Sequence, residues 1–173
     1  MTASVTVVVG NPKPRSRTLV VAEAVATAAM SAAGLDSSAE RLTIDLAEHG
    51  AELFDWSSPT VRHLADALSA SALAVVASPT YKATYTGLLK SFLDWFGQTG
   101  LSGVTVIPVM VGAGAQHALA VEVHLRPVLV EIGATVPTRG LYVTEDALDD
   151  LPTTIAAWLG EAGPLLSRSV RPG

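Results

Sequence analysis

The chain has 173 residues, no cysteine and a formal net charge of −5, which suits one domain with a substantial core, expected over residues 1–173. The lack of cysteine excludes disulfides, thiolate nucleophiles and cysteine-based metal sites, and the acidic balance disfavours nucleic-acid binding, which needs a basic patch. Because neither a signal peptide nor an apolar run long enough for a bilayer is visible, we expect a cytoplasmic protein with no membrane partner.

Five short apolar runs alternate with segments long enough for helices. This alternation predicts an α/β fold with a five-stranded parallel sheet and helices on both of its faces. The second run alternates polar with apolar residues, which is typical of a half-exposed edge strand. Pro108 inside the fourth run predicts a local irregularity in that strand. The predicted strands cover residues 5–9, 39–44, 73–77, 104–111 and 136–143.

Helices are predicted at about residues 17–33, from 58–59 onward, and at 88–96, 116–132 and 151–166. Gly34 is a suitable end for the first helix, and the Ser58-Pro59 pair is a typical helix start. The fourth helix carries a packing stripe of apolar residues at intervals of three to four. The loop over residues 46–60 is expected to be anchored by Phe54 and Trp56. The stripe consists of Val121, Leu125, Val128 and Ile132.

The loop over residues 10–18 joins the first strand to the first helix and is rich in hydroxyls and positive charge. Free N–H groups and the helix dipole favour an anion at such a helix start, so the loop predicts a phosphate site for a nucleotide-like cofactor. A structural alternative is that Ser16, Arg17 and Thr18 merely cap the helix.

Two further loops, over residues 78–87 and 112–117, follow the third and fourth strands. In an open parallel sheet the carboxyl ends of all strands meet at one edge, where ligands bind. The three loops should therefore converge. Gly112 and Gly114 lack side chains, which lets a planar ring system lie against the backbone.

The motifs in these loops resemble those of the NAD(P)H-dependent FMN reductases, most closely the flavin reductases that supply alkanesulfonate monooxygenases. The resemblance covers about residues 5–143, and its most specific part is the ordered stretch Pro-x-Tyr-Lys-x-x-Tyr-Thr-Gly-x-Leu-Lys over residues 79–90. It implies a flavodoxin-like three-layer sandwich with a five-stranded parallel sheet in the order 2-1-3-4-5. It also implies FMN as cofactor and NADPH or NADH as the donor of a hydride to flavin N5.

The resemblance implies FMN contacts in all three loops, without a catalytic acid or base and without a metal. The phosphate would meet the first loop, the ring would lie beside the second, and its pyrimidine end would reach the third. His117 would lie beside the ring. The implied contacts are Pro12, Ser16, Arg17, Thr18, Pro79, Thr80, Tyr81, Lys82, Gly112, Ala113, Gly114 and His117.

The resemblance further implies a homodimer or homotetramer and a flavin-dependent monooxygenase as partner. Alternatives are a quinone or azo reductase with bound FMN, a non-catalytic flavodoxin-like electron carrier, and a flavin-binding sensor.

The chain departs from the family pattern at Asn11 and Lys13, where Ser and Arg are usual. It also has Val123-His124 where the related reductases often insert a tyrosine that forms a π-bulge.

Other nucleotide and hydrolase signatures are absent from the sequence. It contains no P-loop, no G-x-G-x-x-G, no Asp at the end of the third strand and no G-x-S-x-G. His49, His63 and His124 are expected at the surface, and their spacing to carboxylates suggests no metal site.

Overall fold

The computed structural model describes residues 5–36 and 38–170, and its centre is one five-stranded parallel sheet. The strand order is β2-β1-β3-β4-β5, which confirms the predicted topology. In chain order the strands are β1 (Val5–Val9), β2 (Arg41–Asp45), β3 (Leu73–Pro79), β4 (Thr105–Gly112) and β5 (Leu141–Thr144). Residues 1–4, 37 and 171–173 lie outside the described residues.

Helices cover both faces of the sheet. One face packs against α1 and α5, and the other packs against α2, α3 and α4. Because β1, β3 and β4 are buried on both faces, they read as continuous apolar runs. No helix of the described residues is long and apolar enough to cross a membrane. The helices are α1 (Arg17–Ala32), α2 (Pro59–Ser69), α3 (Gly87–Leu93), α4 (Arg126–Glu131) and α5 (Leu151–Ser169).

β2 is the edge strand that the alternating pattern predicts. Arg41 and Leu42 are exposed, whereas Ile44 is buried against the core. The strand begins at Arg41 instead of residue 39. Its outer surface is polar, since Thr43 Oγ1 donates to Glu23 at 3.2 Å and Arg41 lies 3.5 Å from the same carboxylate.

The irregularity predicted at Pro108 is wrong, because β4 is continuous and Pro108 pairs in register with Val76 of β3. In a parallel sheet, alternate residues direct their N–H groups to opposite neighbours. The N–H of Val106 donates to Thr135 on the β5 side, so position 108 faces that side too. Pairing with β5 starts only at Val109. The missing N–H of Pro108 therefore interrupts no bond to β3.

The helix predicted over residues 116–132 is divided into three pieces. A 3₁₀ helix covers Ala115–His117, a π-helix covers Val121–Leu125, and α4 follows. Pro127 explains the division, since it has no N–H and its ring would clash with the carbonyl four residues earlier. The chain instead adopts the wider turn in which the Arg126 N–H donates to Val121 O. A π-helix thus forms here without a tyrosine.

The π-helix packs closely on the segment that leads into β5. A Cβ on Gly140 would lie 2.4 Å from a methyl of Val121, so only glycine fits there. The Arg126 guanidinium donates to Val136 O at 2.8 Å and also to the Thr138 carbonyl and to Glu122. These bonds hold residues 136–140 off the sheet, which is why β5 is shorter than the predicted 136–143.

Phe54 and Trp56 do not anchor the loop after β2, contrary to the prediction. They are 73% and 60% exposed, while the leucines Leu46 and Leu53 of this loop are buried. Trp56 instead tilts against Trp95 with ring centroids 5.1 Å apart. The loop contains two 3₁₀ turns, which bury the leucines and leave the aromatic rings outside.

Candidate functional site

The loops after β1, β3 and β4 converge at the carboxyl edge of the sheet and enclose a cleft of about 410 Å³. This size falls in the range of small-molecule sites. The cleft brings together eight of the residues predicted from the sequence, namely Ser16, Arg17, Thr18, Pro79, Thr80, Tyr81, Gly112 and Ala113. Pro12, Lys82, Gly114 and His117 are not among its lining residues, although each belongs to one of the three loops.

Asn11 organises the first loop from a buried position. Its Nδ2 donates to Thr18 Oγ1 at 3.0 Å, and its Oδ1 accepts from the Lys13 N–H at 2.9 Å. The Arg15 N–H donates to Asp45 Oδ2 at 3.0 Å, and Arg15 has a left-handed φ of 51°. Asn11, which stands where serine is usual in the resembling reductases, therefore has a structural role, because its amide side chain ties the loop to the first turn of α1.

The start of α1 supplies donors to the cleft. Ser16 is the N-cap, and its Oγ accepts from the Leu19 N–H at 3.3 Å, so the capping interpretation holds for this residue. The N–H groups of Arg17 and Thr18 bond to no group in the described part of the chain, as expected for the first turn of a helix. They remain available to an anion at this helix start.

The second loop contains a tight turn that holds two non-glycine residues in the left-handed region. Lys82 has φ 52° and Ala83 has φ 68°, while Tyr81 and Thr84 bond to each other through their backbones at 2.9 and 3.2 Å. Together with Arg15 they are all the non-glycine residues with positive φ in the described ranges. Such strain costs about 1–3 kcal/mol per residue and clusters at functional sites.

Thr86 joins the first two loops. Its hydroxyl donates to the Gly10 carbonyl and accepts from the Leu89 N–H at 3.1 Å, which makes Thr86 the N-cap of α3. Its own N–H donates to Ser78 Oγ at 3.0 Å. A Cβ on Gly10 would lie only 2.5 Å from the Cβ of Leu89, so glycine is needed where α3 approaches.

The third loop is shaped by Tyr142, a residue that no motif in the sequence singles out. A Cβ on Gly112 would lie 2.0 Å from the Tyr142 hydroxyl, and that hydroxyl donates to the Gly114 carbonyl at 2.9 Å. The same Cβ would lie 3.1 Å from Thr80 Oγ1. Gly112 is thus required by the close approach of Tyr142 and Thr80.

Charge is unevenly distributed along the cleft. Lys13, Arg15 and Arg17 line one end, and Glu145, which follows β5, faces them. Sequence reasoning missed Glu145 because no motif includes it. No group of three or more His, Asp or Glu side chains suited to a metal ion occurs in residues 5–36 and 38–170.

The cleft fits a phosphate-bearing ligand with a flat ring. Two unbonded backbone N–H groups, of Arg17 and Thr18, and the cations Lys13, Arg15 and Arg17 line the cleft. The Thr80 hydroxyl is buried next to Gly112 and has no hydrogen-bond partner in the described part of the chain. The fold is that of a flavodoxin-like protein, and the cleft lies at the carboxyl edge of its sheet, which is where such sheets bind ligands.

Comparisons with known proteins identify the family. Residues 3–149 match the family model described as NADPH-dependent FMN reductase, and the chain belongs to that family. It is 33% identical over 95 residues to FMN reductase (NADPH) of Escherichia coli K12, covering 55% of this chain and 50% of that protein. It is 34% identical over 95 residues to the NADH-dependent FMN reductase SfnF of Pseudomonas putida, covering 55% and 51%. The matched stretch thus spans about half the length of these curated relatives.

The fold is also shared along nearly the whole chain with a solved structure. An oxidoreductase from Corynebacterium diphtheriae superposes with a TM-score of 0.83 at 27% identity, covering 96% of this chain and 98% of that one. The likeness therefore extends into α5, which lies beyond the end of the family match.

Proposed function

We propose that this protein is an NAD(P)H-dependent FMN reductase that binds FMN in the cleft at the carboxyl edge of the sheet. Bound FMN would supply the chemistry by accepting a hydride at N5 from NADPH or NADH. Family membership supports the proposal. The observation that carries it is the cleft itself, which is lined by the start of α1, by residues 79–81 and by residues 111–113. The N–H groups of Arg17 and Thr18 in this lining bond to no group in the described ranges.

At the phosphate end, Ser16, Arg17 and Thr18 would hold the anion. The Arg17 and Thr18 N–H groups point out of the helix start, where the helix dipole favours negative charge. The Arg17 guanidinium adds a mobile cation, since its side chain is 67% exposed. Pro12, in the same loop, would close the outer side of this end.

At the ring end, Pro79, Thr80 and Tyr81 would lie beside the flavin, with Lys82 reaching it from the adjacent strained turn. Gly112, Ala113 and Gly114 would meet its pyrimidine edge. Backbone N–H groups in this loop are suited to hold negative charge there without reorganising. His117 is proposed to lie beside the ring, and no side chain is assigned a role as acid or base. The lining of the cleft supports Pro79, Thr80, Tyr81, Gly112 and Ala113.

The proposal leaves a choice for the nucleotide that donates the hydride and for the molecule that receives electrons from the reduced flavin. One relative is named for NADPH and another for NADH, so both nucleotides are candidate donors. By resemblance, the reduced flavin would pass to a flavin-dependent monooxygenase. A quinone or azo reductase that retains FMN, and a non-catalytic electron carrier, are the alternatives. A cytoplasmic location belongs to the same proposal and is supported by the cysteine-free sequence, which needs no oxidising compartment.

A homodimer or homotetramer is also proposed, and an apolar stripe along the fourth helical segment supports it. Leu119, Val123, Pro127 and Val130 follow at intervals of four, four and three residues, and all are exposed. An exposed stripe with this spacing marks one face of a helix and is suited to a second copy of the chain. Light scattering coupled to size exclusion measures the assembly directly.

One anaerobic experiment tests the function. Purified protein is mixed with FMN and titrated with NADPH, then with NADH in a second sample, while flavin absorbance is followed. We expect rapid bleaching with at least one donor, and size exclusion afterwards shows whether reduced flavin stays with the protein. A protein that neither binds FMN nor accelerates its reduction would refute the proposal. Negligible oxidation of NAD(P)H with bound FMN would favour the electron carrier, and retained flavin with rapid quinone turnover would favour the quinone reductase.

A further inference from the structure

Glu145 places a carboxylate inside an otherwise cationic site. Its backbone is fixed, since its N–H donates to the Gly112 carbonyl at 3.0 Å directly after β5. Its side chain lines the cleft together with Lys13, Arg15 and Arg17. A carboxylate is unfavourable beside a phosphate, because like charges repel. Its presence at this position therefore needs a physical account.

The Glu145 carboxylate bonds to Arg17 across the cleft. Arg17 NH2 lies 3.1 Å from Glu145 Oε1, and the two residues are 128 positions apart in the chain. Their side chains are 67% and 45% exposed. The pair thus links the first residue of α1 to the residue after β5, and water screens it, so that exchanging its partners costs little free energy.

An incoming phosphate must compete with Glu145 for Arg17. A phosphate carries nearly two negative charges at neutral pH and accepts paired bonds from an arginine. If Arg17 stays with Glu145, the phosphate loses a strong donor. If Arg17 turns to the phosphate, Glu145 is left without its partner beside a second anion. In both arrangements the carboxylate weakens the binding of the phosphate end.

We propose that Glu145 is an affinity-determining residue that keeps the phosphate-bearing flavin exchangeable by competing for Arg17. This inference rests on the proposed function, since it assumes FMN in the cleft. It predicts that the chain holds FMN less tightly than its three cations alone would allow. The effect concerns the phosphate and leaves the binding of the isoalloxazine ring unchanged.

Calorimetric titration of the purified protein with FMN and with riboflavin tests the inference. Riboflavin has the same ring without the phosphate. The variant is Glu145→Gln, which removes the charge and keeps the shape. The matched control is Glu161→Gln, because Glu161 also pairs with an arginine on the surface, at 3.8 Å from Arg139, but lies outside this cleft. Both variants change the net charge by the same amount.

We expect Glu145→Gln to bind FMN about two- to fivefold more tightly at low salt, the size of effect an exposed ion pair gives. The gain should shrink at about 0.3 M salt, where screening is stronger. Riboflavin affinity and the Glu161→Gln control should stay unchanged. Equal or weaker FMN binding by Glu145→Gln, or the same gain for riboflavin, would overturn the inference while leaving the proposed function intact. If the unmodified protein bound no FMN, the proposed function itself would fail, and this inference with it.

Discussion

The two walls of the cleft are built differently. The inner wall consists of residues 10–18 and 78–86. It is held by buried hydrogen bonds that Asn11 donates to Thr18 and that Thr86 donates to Ser78 and to the Gly10 carbonyl, and it contains all three strained left-handed residues of the described ranges. The outer wall consists of residues 112–117 and 142–145. It depends on one tyrosine hydroxyl, the exposed Arg17–Glu145 pair and backbone bonding between Gly112 and Glu145, and its 3₁₀ helix has no side-chain cap.

This difference suggests separate tasks for the two walls. Buried hydrogen bonds are costly to break, because the partner left behind remains unsatisfied. The inner wall is therefore the more rigid of the two, and in the proposed function it would hold the phosphate and one side of the ring. The outer wall, held by partly exposed bonds, can shift at a smaller cost in free energy. Mutations on the two walls should accordingly differ in what they damage.

The largest effect is expected from Gly10→Ala on the inner wall. The new methyl would overlap the Cβ of Leu89 and push α3 away, which should lower the free energy of unfolding by about 3 kcal/mol. Urea unfolding measures this. Gly160→Ala is the control, because Gly160 lies within α5 with nothing within 4 Å of a new Cβ. That change should stabilise by about 0.5–1 kcal/mol, and similar losses in both variants would contradict the close approach at Gly10.

Thr86→Val should have the next largest effect. It removes the cap of α3 and leaves the buried Gly10 carbonyl without its donor, at a combined cost of about 2 kcal/mol. Thr86→Ser keeps the hydroxyl and should recover most of that free energy. Thermal and urea unfolding measure the stability of the two variants. Equal stability of Thr86→Val and Thr86→Ser would show that the hydroxyl does not stabilise the fold.

Glu122→Gln tests the bonds that Glu122 accepts from Arg126 and from the Gly140 N–H, just before the outer wall begins at residue 142. Burial raises the pKa of the Glu122 carboxyl, but hydrogen bonds from Arg126 and from the Gly140 N–H outweigh it, so the pKa lies below its ordinary value. The ionised Glu122 carboxylate therefore stabilises the folded protein fully at pH values above its unfolded-state pKa of about 4.3. This stabilisation is lost as the pH falls through the lower pKa that the carboxyl has in the folded protein. Glu122→Gln should cost about 1 kcal/mol at neutral pH.

Urea unfolding at several pH values checks this prediction. The difference between the unmodified protein and Glu122→Gln should be constant from pH 7 to about pH 5 and should narrow at lower pH. Glu161→Gln is again the control, because its carboxylate is 76% exposed and its arginine is 3.8 Å away. A difference that persisted unchanged into acid would show that the charge of Glu122 is not its source.

The smallest effect is expected from Tyr142→Phe, which removes a single partly exposed bond to the Gly114 carbonyl. Stability should fall by about 0.5–1 kcal/mol, while FMN affinity should fall several-fold because the third loop is less well fixed. The control is Thr154→Val, since the Thr154 hydroxyl also donates one solvent-exposed bond to a backbone carbonyl, that of Asp150 at 3.3 Å, but lies outside the cleft. An effect on unfolding without one on FMN binding would assign Tyr142 to folding alone.

Periodic features of the fold were predictable from the sequence. The bounds of β1 match, and α1 ends one residue earlier than predicted. Both follow from local patterns, an apolar run and an alanine-rich segment ended by Gly34. The strand order came from the resemblance, and the edge character of β2 came from alternation. The regular β4 at Pro108 was not predictable, because it depends on which neighbouring strand the missing N–H faces. The division of the helix predicted over residues 116–132 was also missed, although Pro127 lies inside that range.

The candidate site was predictable where residues lie in loops between apolar runs, and less so elsewhere. Ser16 and Thr80 follow strand ends and Gly112 is the last residue of β4, which is where parallel sheets bind ligands. Glu145 lines the same cleft from the residue after β5, and Tyr142 of β5 bonds to the third loop from behind. No spacing in the chain relates these two residues to Arg17 or Gly114. Only the register of β4 with β5 brings these positions together.

Thr86 has a consequence for how the molecule opens. Its hydroxyl caps the first turn of α3 and also bonds to the carbonyl of Gly10, where the first loop begins. Opening of the helix start and movement of the loop therefore break the same hydrogen bonds. Local unfolding of α3 and loosening of the phosphate loop therefore form one cooperative unit. A ligand that binds only the loop should slow amide hydrogen exchange at Leu89, Lys90 and Phe92, in a helix whose amides it never contacts.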